Sequence, residues 1–162
     1  MSTSDQDKQQ LQRKGGAAAA LLAAAVATAV AIIGPWEGLR TDPYRDLVGK
    51  WTVCYGDTTV PMRRYTADEC AALLEAQVER YMEGIGKCIH GPVTTNQLAA
   101  LTSWAYNVGV AAACNSTLVR QLNAGQPATV WCNQLLRWDY SGGTRVRGLT
   151  NRRKAEHEVC LQ

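Results

Sequence analysis

Glu37, Asp46 and Thr52 fall in one short stretch, EGLRTDPYRDLVGKWTVCYGDT, which runs from Glu37 to Thr58. Two carboxyl groups across a cleft are what cleavage of a glycosidic bond requires. One must be protonated, to give its proton to the leaving oxygen. The other must be ionised, to steer water or to stabilise positive charge on the sugar ring. A threonine hydroxyl both donates and accepts, so Thr52 can hold a water beside such a carboxylate. Spacing alone does not select this chemistry. The chain holds 14 acidic residues, and two solvated loop carboxylates fit the same spacing.

The elements that must position these side chains read as a tight β-meander. Tyr44, Val48, Trp51, Val53 and Tyr55 suit strands, while Asp42-Pro43, Gly49 and Gly56-Asp57 suit turns. Folding back through those turns can bring Glu37, Asp46 and Thr52 to the walls of one cleft.

The full pattern is more specific than the spacing. Glu37-Gly38, Tyr44, Asp46, Gly49, Thr52, Tyr55-Gly56 and Thr58 together resemble the active-site signature of the phage-type lysozymes, the muramidases of tailed-phage endolysins. There are two departures: Cys54 stands where that family commonly has its first glycine, and Asp57 where it has histidine. Neither is a catalytic position, so both bear on local sheet geometry. The resemblance implies an α+β lysozyme-like fold, with a small β lobe, a larger helical lobe and the active-site cleft between them. It implies hydrolysis of the β-1,4 bond between N-acetylmuramic acid and N-acetylglucosamine in peptidoglycan glycan strands, without metal or cofactor. Glu37 is then the general acid, kept protonated by partial burial beside Trp36 and Leu39. Asp46 stays ionised opposite the sugar ring, and Thr52 holds the attacking water with it. A lytic transglycosylase needs only the glutamate and recruits no water, so Asp46 and Thr52 argue against one. A wall-binding protein without activity, anchored to the membrane, is the alternative from another class.

At 162 residues the chain suggests one domain. Its net charge of +3 is a mild excess rather than a nucleic-acid binder's stripe, and no nucleic-acid partner is expected. Six cysteines, no C-x-x-C pair and two histidines far apart, His90 and His157, point away from zinc and toward disulfides in an oxidising compartment.

That compartment has to be reached, and residues 15–36, GGAAAALLAAAVATAVAIIGPW, carry no charge and are long enough to span a bilayer. A buried core helix, a cleaved signal peptide (with Ala-x-Ala sites such as Ala27-Thr28-Ala29) and a weak uncleaved anchor all fit this run. Only six large aliphatics, Leu21, Leu22, Val26, Val30, Ile32 and Ile33, drive insertion, contributing roughly −2 to −4 kcal/mol. Joined to the lysozyme motif, such an alanine-rich helix resembles the signal-arrest-release endolysins, held inactive in the inner membrane until the membrane is de-energised. Some members gate with a cysteine in the anchor. Residues 1–53 contain none, so repositioning of the anchor must do the gating. The expected organisation is a basic cytoplasmic tail at 1–14, an anchor in inner-membrane lipid at 15–36, and a monomeric catalytic domain at 37–162. That domain faces the periplasm and becomes soluble there on release.

Further along, Thr66–Glu69 and Thr94–Gln97 read as capping boxes opening two helices. The segment from Val93 to Gly125 again resembles the phage lysozymes, as does the Gly-Leu-x-x-Arg-Arg element at Gly148–Arg153. Trp104 and Tyr106 suit core packing better than sugar stacking. Pro127 suits the start of a helix through Trp138, Gly142-Gly143 break it, and Thr150 is placed to cap the last one. Arg152, Arg153 and Lys154 form either a solvated basic face with some ion pairs or a surface for anionic wall polymer. Six cysteines allow 15 pairings. The resemblance and local logic favour Cys54 with Cys70, Cys88 with Cys114, and Cys132 with Cys160.

Overall fold

The uncharged N-terminal run forms part of one long helix, α1, Thr3–Glu37, in this computed structural model, which describes residues 3–46 and 48–162 with side chains from Gly15 onward. Strands β1 (Arg40–Arg45) and β2 (Trp51–Cys54) follow as an antiparallel pair, with Tyr44 opposite Thr52 and Arg45 opposite Trp51. The helical lobe comprises α2 (Ala67–Gly86), α3 (Thr95–Val108), α4 (Val110–Cys114), α5 (Thr117–Asn123) and α6 (Ala128–Cys132). A 3-10 turn (Asn133–Arg137), the hairpin β3–β4 (Tyr140–Ser141 and Thr144–Arg145) and α7 (Arg147–Cys160) complete it.

Both capping boxes form. Thr66 Oγ1 accepts from the Glu69 amide at 3.1 Å, and Glu69 Oε2 accepts from the Thr66 amide at 2.7 Å. Thr94 and Gln97 exchange the same pair at the head of α3. Each satisfies two amides that a helix start leaves unpaired. The Arg63 guanidinium, 2.7 Å from Glu69, and the Thr66 amide pull the Glu69 carboxyl down to about 2 from an ordinary 4.5. A carboxyl lowered in the folded state lends its stabilisation above its ordinary value and loses it as pH falls toward the folded one. Hydrogen exchange at the Thr66 amide is therefore expected to be slow at neutral pH and to lose protection between about pH 4.5 and 2. Unchanged protection across that window would contradict the box.

Several expectations need correction. Asp42-Pro43 lie within β1 rather than in a turn, and Val48 and Tyr55 lie in turns rather than in strands. Pro127 caps a helix of only five residues, and the chain continues to Arg137 as the 3-10 turn rather than one helix to Trp138. Gly142-Gly143 form the turn of the β3–β4 hairpin. Helix α7 begins at Arg147, so Thr150 lies inside it and caps nothing. The Thr150 hydroxyl instead donates to Asp139 Oδ2 at 2.9 Å. Asp139 is buried and needs donors, which Thr150 and Arg145 supply.

One core fills the helical lobe around Trp104, with Ile85, Leu101, Leu118, Trp131 and Leu135. A second joins α1 to it. Ala25, Val26, Ala29 and Ile33 pack on Leu74, Val78 and Met82 of α2 and Ala99 of α3. The helix thus runs unbroken past residues 14 and 36, and its second half belongs to the folded lobe. Around its middle it remains open, with Leu21 and Leu22 more than half exposed. Disulfides join Cys54 to Cys70, Cys88 to Cys114 and Cys132 to Cys160.

Candidate active site

Glu37 is the last residue of α1. The helix ends there because Gly38 turns left-handed at φ +71°, its amide reaching back to the Gly34 carbonyl at 3.1 Å. Glycine takes that conformation at no Cβ cost. Trp36 and Leu39, expected to shield Glu37, are themselves exposed at 39% and 44%. The carboxylate is instead held by a residue far along the chain: Arg152 Nη1 donates to Glu37 Oε1 at 2.7 Å. Its other oxygen, Oε2, faces Gly56, where even a methyl group would stand 3.9 Å away.

That oxygen borders a cleft of about 350 Å³ lined by Glu37, Tyr55, Gly56, Asp57, Gln77 and Tyr106, among others. A hydrogen-bond chain makes one wall. Gln77 Nε2 donates to Asp57 Oδ2, and Gln77 Oε1 accepts from the Tyr106 hydroxyl at 2.7 Å. Asp57 Oδ1 takes the Thr59 amide and hydroxyl, both at 2.7 Å. Burial, then the nearby charge of Glu37, pushes the Tyr106 phenol well above its ordinary value, so it stays a neutral donor. Tyr106 lines the cleft while packing against the second core, its ring 4.8 Å from that of Tyr81. Trp104 is buried against Trp138.

Of the three residues singled out by the motif, Glu37 lines this cleft, while Asp46 and Thr52 are placed by the β lobe. Asp46 follows β1, and its Oδ1 accepts from the amides of Val48 at 3.0 Å and Lys50 at 2.8 Å. Thr52 sits on β2, buried, with its hydroxyl donating to the Lys50 carbonyl at 3.0 Å. The loop between the strands thus fixes both side chains through its own backbone, and no described contact joins either to Glu37.

Of the basic face expected on the last helix, Lys154 is exposed but the two arginines are not. Arg152 and Arg153 are buried with Glu156, which is fully enclosed. Glu156 Oε1 accepts from Ser103 Oγ at 2.8 Å, Arg152 Nε at 3.2 Å and Arg153 Nη2 at 3.1 Å, and Oε2 lies 2.8 Å from Arg153 Nε. Burial pushes the Glu156 carboxyl up and the Arg153 guanidinium down, and their mutual attraction opposes both. Arg152 thereby ties Glu37 to this buried cluster. Arg152 as a partner of Glu37, and Asp57 and Gln77 as cleft residues, were not singled out by sequence. The i+4 and i+3 spacing from the two arginines to Glu156 was the available signal for the cluster.

Comparison with known proteins places this site in context. Residues 34–156 match the family described as Phage lysozyme. A SAR-endolysin of Bacteriophage PS119 is 40% identical over 141 residues, covering 82% of this chain and 84% of that protein. Among solved structures, an endolysin from Escherichia coli O157:H7 phage FAHEc1 superposes with a TM-score of 0.74 at 30% identity, covering 83% of this chain and 91% of that one. The active form of the P1 phage endolysin Lyz gives 0.71 at 29% identity, over 83% of each chain.

Proposed function

The chain belongs to the phage lysozyme family, and from that premise we propose that Glu37 is the proton donor of an endolysin that hydrolyses the β-1,4 glycosidic bonds of peptidoglycan. The observation that carries this reading is the asymmetry of the Glu37 carboxyl. Arg152 occupies Oε1, leaving Oε2 toward the cleft, where a leaving-group oxygen can take its proton. In this reading Asp46 serves through Oδ2, since its other oxygen is committed to two amides. Thr52, with its proton given to the Lys50 carbonyl, can accept from a water and aim it at the sugar carbon. Tyr106 and Gln77 orient the substrate's polar groups across the cleft. Purified peptidoglycan is expected to yield new reducing sugar ends on incubation with the soluble protein. Binding to the wall without new ends would contradict hydrolysis.

The apolar helix supports a life in two places, membrane first and soluble afterwards. Gly15–Glu37 is long and apolar enough to cross a membrane. The same helix inserts Ile33 and Val26 into the folded lobe, each worth about 1.5–3 kcal/mol when fully buried. That sum is of the order of the insertion energy of the six aliphatics, so lipid and protein core compete on near-equal terms. The membrane potential then decides. Lys8, Arg13, Lys14 and the α-amino group carry +4 against −2 from Asp5 and Asp7, leaving +2 on a cytoplasmic tail whose side chains lie outside the described residues. Dragging two charges outward against an inside-negative potential costs about 5 kcal/mol per 100 mV. Loss of the potential releases the helix, and docking it against α2 and α3 sets Glu37 beside Arg152.

Neutralising Lys8, Arg13 and Lys14 together leaves +1 against −2 on the tail. It is expected to advance lysis and to shift the protein from the membrane to the soluble fraction, its intact N-terminal mass identifying uncleaved release. Unchanged timing and unchanged retention would remove this account of the trigger.

A further inference from the structure

Cys54 is the one non-glycine residue at positive φ among the described residues, at +59°. It opens a three-residue turn, Cys54-Tyr55-Gly56, closed by reciprocal backbone bonds: the Val53 amide to the Asp57 carbonyl at 2.9 Å, and the Asp57 amide to the Val53 carbonyl at 2.8 Å. Gly56 is left-handed as well, at φ +82°, and glycine suits that position. A cysteine does not suit a left-handed position, because its Cβ crowds the following carbonyl. Something must hold it there.

The disulfide to Cys70 is that constraint. Cys54 and Cys70 are both buried, packed with Val53 and Tyr65. Cys70 lies in the first turn of α2, and Gln77 follows two turns along the same helix, close to the same face. The turn is therefore moored to α2 at two points, by the disulfide at Cys70 and by the Asp57–Gln77 hydrogen bond. Tyr55, Gly56 and Asp57 of the turn line the cleft with Glu37, and Thr52 precedes the turn on β2.

We propose that the Cys54–Cys70 disulfide is a positioning device for catalysis: it holds residue 54 in the left-handed conformation that aims the Val53–Asp57 turn, and with it Thr52 and the Asp57–Gln77–Tyr106 wall, at Glu37. The essential quantity is the backbone angle, not the cross-link. A residue that adopts positive φ freely replaces the disulfide, and one that does not lets the turn relax away from the cleft. The inference rests on the muramidase reading of this site.

The test compares Cys54→Ala/Cys70→Ala, Cys54→Asn/Cys70→Ala and Cys54→Gly/Cys70→Ala in the full-length soluble protein, with the other two disulfides intact. Near-UV circular dichroism checks folding at the assay temperature, and purified peptidoglycan is the substrate. The alanine pair is expected to lose about tenfold in kcat with apparent KM nearly unchanged, because the cost of positive φ now falls on the active conformation. The glycine pair is expected to recover to within about threefold of the parent, with asparagine between, following their tolerance of that region. Equal activity of the alanine and glycine pairs, at whatever level, overturns the proposal, as does failure of the glycine pair to fold. Should the alanine pair not fold, the order of glycine above asparagine carries the test, and its reversal is fatal. Glu37→Gln in the same assay separates the two claims. If that variant still cuts the wall, the assignment of Glu37 as proton donor fails; if it is dead while the alanine pair is fully active, only the disulfide's role fails.

Discussion

Glu37→Gln is expected to remove wall hydrolysis while leaving the folded protein intact. A glutamine amide has almost the shape of the carboxyl, and its oxygen can still accept from Arg152 Nη1, now 2.7 Å from Glu37 Oε1. What it lacks is a proton acidic enough to give to a leaving alkoxide. General acid catalysis contributes about 10²–10⁴-fold, so kcat should fall by at least that order with little change in apparent KM. The thermal midpoint should move little, because the partner bond survives in neutral form. Reducing-end release from purified peptidoglycan and a melting curve on the same sample check both halves. Retained hydrolysis would reassign the proton donor.

Glu156→Ala is expected to have the largest effect on stability. Glu156 is enclosed between Arg152 and Arg153, with Ser103 Oγ on the same carboxylate. Removing it leaves two buried guanidinium groups without their shared counter-ion, and breaking one side of a buried ionic cluster costs about 3–5 kcal/mol. In a domain of this size that lowers the thermal midpoint by roughly 10 °C. Glu156→Gln keeps the volume and some hydrogen bonding, so it should fall between the alanine variant and the parent. Activity should suffer beyond the loss of fold, since Arg152 is the link between this cluster and Glu37. A change of under about 2 °C for the alanine variant would show the arginines to be solvated after all.

Features confined to a few residues were legible in the sequence. Both capping boxes could be read because each partner lies three residues from the other, and the geometry of a helix start brings them together. Glu37 was singled out by the motif around it, and it lines a cleft. Contacts between distant segments were not legible. Arg152 meets Glu37 across 115 residues, and its neighbourhood in the chain, Asn151-Arg152-Arg153-Lys154, reads as solvated. Nothing local reveals that Ser103 and Glu156 wait to receive it. Thr150 has the right chemistry for a helix cap, but Asp139 claims its hydroxyl, and only the folded β3–β4 hairpin brings that carboxylate near. Helix α1 was ambiguous for a physical reason: a run of alanines with few aliphatics suits lipid and protein core almost equally.

The chemistry at Glu37, Asp46 and Thr52 is tested most directly by digesting purified peptidoglycan in oxygen-18-labelled water and weighing the released muropeptides. A glutamate that donates its proton while a water is delivered to the sugar predicts reducing N-acetylmuramic acid ends that carry the label. Unlabelled anhydro ends would mean that no water takes part in bond cleavage, and the roles given to Asp46 and Thr52 would be wrong.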